Sequence, residues 1–568
     1  MKDRGGERMR RRSVAVDGAE PVLTSRRNAQ DVQSIDKKGQ TRAERRDKVN
    51  QSVDATSSAW LDALCVVSLV VAAGWIRLYR IAEPAAVVFD EFHFARFLTY
   101  LSENVFFFDI HPPLAKLIMF FSAKFIGGFP PRSDLSFLNR IGNPYPDDFN
   151  YVTPRVVAAI FGTASVPLMY LTGRQVGLAP DVAFVLGCFV AFDMNHIIES
   201  RLVLTDSQLI FFCALSLLLM TKLWKSRDGS AARYVLLVST GLACGACMSV
   251  KFTGLATPAV TGLVSLVWVR IPIWQCALIG MIGLALFACA YAVLFSLMQI
   301  CDPKEIYHRF VSVNWGIKGD PRLEQLDSAL QLRPWGFWTK LYYMNREMIS
   351  ASARIKTRHE WESKWYEWAL SLRGILYFSK DPVPPVDADQ TSTRLVSWIY
   401  LIGNPVVYWT TFLAVLIMSA LILLRAGLSY MQYRAPRKPF KSAPARKSST
   451  AAPHMWKEQI QTILTDPAVT QNLQWGALFL AGFLINLLPY IGIERCAFLY
   501  HYLPGLWYAI LMLGLLLQIA LGPRARVTVS ICLCVLAAAA FWYFSPWVYG
   551  TPISLEHKAS LQWLPRWN

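Results

Sequence analysis

Eleven apolar stretches punctuate the chain, at about 60–80, 154–174, 180–198, 202–223, 234–250, 252–270, 274–299, 394–424, 474–490, 500–521 and 526–546. Each approaches the ~20 residues that cross a hydrocarbon bilayer. Lipid offers no partner to a bare peptide group, so segments of this length resolve as helices and the chain reads as an all-α polytopic membrane protein. With 54% hydrophobic and 17% charged residues among 568, a soluble fold is excluded. The formal charge of +18 would point to nucleic acid in a soluble chain. Here the Lys and Arg concentrate in an N-terminal arm and a few loops, which is the signature of membrane orientation, and no nucleic acid is expected.

Residues 1–58 are basic and polar with few aromatics, so a disordered cytosolic arm is expected. The first apolar run starts near Trp60 and is long enough to stay as an anchor, not a cleaved signal. The arm, Lys222 to Arg233, Arg425 to Lys447 and Arg524 to Arg526 are basic, and alternate crossings put all four on one side. The expected organisation is then a transmembrane module over 59–299 with a far-side loop at 81–153, and a second far-side loop at 300–393. Further helices over 394–546 carry a flexible basic linker at 425–472, and a far-side tail covers 547–568. Most of the 11 cysteines fall inside apolar segments, which reads as core packing.

The first far-side loop carries the chemistry. Val87-Val88-Phe89-Asp90-Glu91-Phe92-His93-Phe94 is followed by Phe108-Asp109-Ile110-His111-Pro112-Pro113-Leu114-Ala115-Lys116, with two short membrane-surface helices expected between residues 81 and 153. Ionisable groups beside a membrane span are costly unless they have work to do. Arg155, Arg201, Lys251 and Arg495 sit at the span ends facing the same side as Asp90, where such a cluster suits a phosphate at the membrane surface. The bland alternative pairs each with a neighbour, for instance Arg201 with Glu199 or Asp206. Adjacent Asp90 and Glu91 diverge on regular structure, so they supply one base and not a facing acid–base pair. Displacing a sugar from a lipid phosphate needs only one, because phosphate leaves without a proton. His111, His359 and His501 share that side; their spacing matches no metal motif, and hydrogen bonding to phosphate, peptide or backbone is the reading preferred, with a divalent cation left open.

After Trp60 the chain resembles the protein O-mannosyltransferases, which carry the GT-C glycosyltransferase fold. The resemblance runs through Arg77-Leu78-Tyr79, Val88-Phe89-Asp90-Glu91, His111-Pro112-Pro113-Leu114, Glu199-Ser200-Arg201 with Asp206-Ser207, and Val250-Lys251-Phe252-Thr253-Gly254-Leu255. It continues through Gly403-Asn404-Pro405-Val406 and Phe498-Leu499-Tyr500-His501-Tyr502-Leu503-Pro504. It implies transfer of mannose, with inversion, from dolichyl phosphate mannose to Ser or Thr hydroxyls of proteins, by a multi-pass enzyme of the endoplasmic reticulum membrane with its active site lumenal. It implies Asp90 as base and Glu91 as a partner holding the acceptor or an arginine. Arg77 and Arg155 match arginines of the family's site and are assigned with Arg201, Lys251 and His359 to the donor phosphate, the last three by a pattern that does not itself fix their roles, with His111, Asp206, Arg495 and His501 supporting; no cofactor is implied with certainty. Partners would be the lipid donor, acceptor proteins, membrane lipid and a dimer with a second family member. Eukaryotic relatives usually carry a MIR module in the second lumenal loop, which the ~95 residues here are too few to hold. His359-Glu360-Trp361 also departs from the family's usual His-Pro-Tyr.

Two other readings compete. A lipid-sugar transporter needs many spans, but its ligands belong near mid-membrane on broken helices, whereas these charges gather at one face. A GT-C enzyme acting on a glycolipid or other acceptor shares the architecture, and fold does not choose among acceptors.

Overall fold

Helices long enough to cross a bilayer dominate a computed structural model that describes residues 42–132, 134–301, 314–317, 333–380, 395–434 and 461–567. Ten described helices have the length and apolarity for a span, and Pro180–Phe192 is an eleventh, shorter apolar helix. In chain order they begin with α1 (Arg42–Leu78), α2 (Glu91–Ser102), α3 (Leu114–Phe125), α4 (Val152–Val176), α5 (Pro180–Phe192), α6 (Met194–Glu199), α7 (Asp206–Lys225), α8 (Ala231–Val250), α9 (Ala256–Val264) and α10 (Ile273–Leu297). The second loop holds α11 (Phe337–Arg354), α12 (Trp365–Trp368), β1 (Ile375–Lys380) and β2 (Leu395–Leu401). Then come α13 (Pro405–Arg434), α14 (Pro467–Leu487), α15 (Leu503–Ala520), α16 (Pro523–Tyr549), β3 (Ile553–Ser554) and α17 (Leu555–Leu561). The chain divides into two units, Met1–Leu64 and Cys65–Asn568, and everything below concerns the second.

Local sequence sets the helix ends. Asp466 accepts from the N–H groups of Ala468 and Val469 with Pro467 in the first turn of α14, and Gly177 closes α4 at φ 99°. Between α8 and α10 the backbones touch: a Cβ on Gly245 would lie 2.6 Å from the Gly283 carbonyl oxygen. Glycine spacing of this kind lets membrane helices pack where apolar burial alone gives no drive.

Three expectations about boundaries change. The basic arm was placed up to residue 58, but helix begins at Arg42, and residues 1–41 lie outside those described. The span expected at 180–198 breaks at Asp193, whose carboxylate accepts from the N–H of His196 at 3.1 Å and of Asn404 at 3.0 Å. Asn404 in turn donates to the carbonyls of Phe192 and Ala537, so the polar break is satisfied in the protein interior. The stretch expected to span from 394 begins as strand β2, and α13 starts only at Pro405. The stretch expected at 252–270 keeps its bounds as the apolar span Phe252–Val269, a helix of mixed pitch with 3₁₀ at Phe252–Leu255 and π at Ser265–Val269. The flexible linker read around Arg434 to Thr450 lies outside the described residues beyond Arg434.

The small sheet is the feature that hydropathy did not announce. β1 pairs antiparallel with β2, and β2 with β3, in the order β1-β2-β3. The C-terminal stretch seals it: Trp567 donates from Nε1 to the Ser371 carbonyl at 2.7 Å, and Arg566 pairs with Glu367. Both surface helices expected in the first loop form, as α2 and α3, the latter immediately after Pro112 and Pro113.

Candidate active site

Asp90 is the residue before α2, and the turn that delivers it is strained: Phe89 adopts φ 45°. Three contacts hold that turn. The Phe89 N–H donates to the Tyr377 carbonyl at 3.0 Å. Its ring stacks on Tyr377 with centroids 4.0 Å apart and planes 7° from parallel. On the other side of Asp90, Glu91 is fully buried in a set of five hydrogen bonds. Arg155 donates from Nε to Oε1 at 2.8 Å and from Nη2 to Oε2 at 2.7 Å, the Val88 and Val203 N–H groups donate at 3.1 and 2.9 Å, and the Tyr145 hydroxyl donates at 3.2 Å. Asp90 itself makes no capping bond to α2.

Burial pushes the Asp90 carboxyl up to about 6, with Asp206 and Asp109 reinforcing the rise and Lys251 and Arg495 opposing it. Those four charges define the site. Lys251 ends α8 and donates to Asp206, at the start of α7, at 2.6 Å; its ammonium also lies 5.7 Å from the Tyr500 ring centroid. Asp109 pairs with the buried Lys116, which also donates to the His111 and Pro112 carbonyls and so pins the turn ahead of α3. Arg495 donates one bond, at 2.7 Å, to the Ser352 hydroxyl on α11.

Two imidazoles complete the group. His111 is pushed well below its usual range by burial and by the cations Lys251, Lys116 and Arg495, so it stands neutral with a ring N–H to offer. His501 Nδ1 faces both the N–H, at 3.2 Å, and the carbonyl oxygen, at 3.1 Å, of Phe498, and the ring stacks on Tyr500 with centroids 4.4 Å apart. Among the described residues no three His, Cys, Asp or Glu side chains gather closely enough to hold a metal ion.

The arginines expected at a phosphate are elsewhere engaged. Arg155 spends its guanidinium on Glu91 and on the carbonyls of Ile81, Pro84 and Ala86, over the Tyr151 ring at 4.9 Å. Arg201 donates to the carbonyls of Ile76, Arg77, Tyr79 and Arg80 and lies 4.6 Å from the Tyr549 ring centroid, which caps the end of α1. Arg77 is fully buried, donating to Val190 and Ala191 carbonyls and meeting His196 Nδ1 at 2.8 Å. Most guanidinium N–H groups of Arg77, Arg155 and Arg201 thus face protein oxygens and nitrogens, while Arg77 Nε is buried with no hydrogen-bond partner among the described residues. His359 is exposed at the rim, edge-on to Phe498 at 5.3 Å. Lys251, Asp206 and Arg495 act electrostatically on Asp90, and Lys251 and Arg495 act on His111 and His501 as well. The reading from sequence did not foresee Tyr377 and Tyr145, since an aromatic in a loop carries no signal of its partner.

Residues 67–302 match the family described as dolichyl-phosphate-mannose-protein mannosyltransferase, and residues 337–567 match the C-terminal four-span region of protein O-mannosyltransferase. The chain is 37% identical over 195 residues to dolichyl-phosphate-mannose–protein mannosyltransferase 1 of Candida albicans, covering 34% of this chain and 22% of that protein. It is 36% identical over 202 residues to the Saccharomyces cerevisiae protein of the same name, covering 36% of this chain and 24% of the relative. These matches thus span about a quarter of the relatives' own length. In structure, the chain superposes on the S. cerevisiae protein O-mannosyltransferase Pmt1–Pmt2 complex bound to the sugar donor with a TM-score of 0.73 at 20% identity, over 89% of this chain and 92% of that one.

Proposed function

Since this chain belongs to the protein O-mannosyltransferase family, of GT-C fold, we propose that it transfers mannose from dolichyl phosphate mannose to Ser or Thr hydroxyls of proteins. The observation that carries the reading is the position of Asp90, a carboxylate free of helix capping and lifted to about 6, against Lys251, Arg495 and two imidazoles. The order of events follows from those charges. Asp90 accepts the proton of the acceptor hydroxyl as its oxygen attacks the anomeric carbon. The bond from that carbon to the phosphate oxygen breaks from the opposite face, and the configuration inverts. The departing phosphate keeps the electron pair and gathers negative charge, which Lys251 and Arg495 stabilise, while His111 and His501 offer ring N–H donors. One base suffices, because no proton is needed at the leaving group.

Glu91 and Arg155 do not meet substrate in this scheme. Their buried pair, with Val203 and Tyr145, fixes the backbone on the far side of Asp90, which supplies orientation. Arg201 and Arg77 hold the end of α1 from which the loop departs. The apolar helix faces beneath the Lys251–Asp206 pair suit a polyprenyl chain. By the family's example, the protein sits in the endoplasmic reticulum membrane with this site lumenal and works beside a second family member, as Pmt1 does with Pmt2.

The test is direct. Purified protein with labelled dolichyl phosphate mannose and a Ser/Thr-rich peptide should give a mannosylated peptide whose linkage opens in base by β-elimination. Label passing only into lipid or oligosaccharide would overturn the choice of acceptor.

A further inference from the structure

The segment from Glu199 to Val203 reaches both neighbours of Asp90. Val203 donates its N–H to Glu91 at 2.9 Å. Glu199, at the end of α6, accepts the hydroxyl proton of Tyr377, whose carbonyl and ring in turn hold Phe89. Tyr377 and Glu199 are 1% and 2% exposed, so no water competes for this bond. Phe89 lies in the left-handed region that a bulky side chain resists, so the turn persists only while something outside it holds the ring and the N–H in place.

We propose that the Tyr377–Glu199 hydrogen bond is the device that positions Asp90 for proton abstraction, which makes Tyr377 and Glu199 positioning residues and not catalytic ones. β1 belongs to the second loop and α6 follows the break at Asp193, so this bond ties the strand to the helical body while the strand's backbone and ring hold the turn before the base. The inference rests on Asp90 being the base. Glu199 acts through its oxygen as an acceptor and not through charge. Burial and the neighbouring Asp206 and Asp90 lift its carboxyl well above the usual range. Gln offers the same acceptor oxygen in the same shape, whereas Ala offers none.

Four variants of the full-length protein decide it: Tyr377→Phe, Glu199→Gln, Glu199→Ala, and Tyr377→Phe combined with Glu199→Ala. Tyr377→Phe keeps the ring and carbonyl, so a folded protein is expected, and thermal unfolding in detergent checks each variant. Tyr377→Phe and Glu199→Ala should each lower kcat by about tenfold or more with both KM values little changed, because a base displaced by a fraction of an ångström still allows binding. The double variant should lose no more than either single one. Glu199→Gln should keep kcat and leave the acid limb of the pH profile in place. Wild-type kcat in Tyr377→Phe, additive losses, or a shifted acid limb in Glu199→Gln would each overturn the proposal. Should Glu199→Ala fail to fold, the Phe and Gln variants still decide. Full activity in Asp90→Asn would refute the underlying reading, whereas an inactive Asp90→Asn beside a fully active Tyr377→Phe would refute this inference alone.

Discussion

Glu91 and Arg155 face each other through two parallel hydrogen bonds of 2.8 and 2.7 Å, with neither side chain exposed. The residue beside the base is thus committed to the protein interior, and the arginine that resembled a phosphate ligand is its counterion. Removing either partner leaves a buried charge unpaired, at a cost of about 3–5 kcal/mol. Arg155→Ala and Glu91→Ala should therefore lower the thermal unfolding midpoint markedly and abolish activity together with folding. A stable Arg155→Ala protein with only a raised donor KM would show that Arg155 binds the donor.

Arg201 gives a second, opposite contrast. Its guanidinium satisfies four carbonyls at the end of α1, and each buried acceptor left bare costs about 1–3 kcal/mol. Arg201→Ala should lose stability while the folded fraction keeps the wild-type donor KM. A selective loss of donor affinity at unchanged stability would restore it to the phosphate site.

For Lys251 and Arg495 the expectation reverses. A charged hydrogen bond to a phosphate contributes about 1.5–3 kcal/mol, so Lys251→Ala and Arg495→Ala should raise the donor KM by about 10- to 100-fold and leave peptide affinity intact. Lys251→Ala carries a further signature. Loss of that cation frees Asp206, and both changes favour the protonated Asp90, so the acid limb should move to higher pH. Weakened peptide binding alone would contradict the assignment.

How much of this was legible beforehand differs between spans and side chains. Apolar length alone located the crossings, because lipid imposes the same demand on every one of them. The strand at Leu395–Leu401 was taken into a span because strand and helix segments that are buried and apolar look alike over a few residues. The break at Asp193 depends on Asn404, which lies two hundred residues away, and no local pattern announces that pairing. Whether a guanidinium faces a phosphate or a row of carbonyls is a tertiary fact that no local pattern carries.

Acid inactivation should follow Asp90. Its carboxyl sits at about 6, facing Lys251, Asp206, Asp109 and Arg495, and a base works only when ionised. The rate under kcat/KM conditions should fall with falling pH through about 6 and level off above it. The sign for stability is opposite: the folded value, about 6, lies above the ~3.9 of an unfolded Asp, so the destabilisation by Asp90 is absent below ~3.9, grows between the two values and is complete above about 6. Activity lost between pH 7 and 5 should return on neutralisation without unfolding. An acid limb accompanied by melting would assign it to another group.

The most direct measurement compares Asp90→Asn with the unaltered protein for donor binding and for mannose transfer to peptide. An amide preserves shape but accepts no proton, and general-base contributions are about 10²–10⁴-fold. Donor binding and the unfolding midpoint should be retained, with transfer reduced by at least that range. Turnover by Asp90→Asn within a few fold of the unaltered protein would contradict the account at its centre.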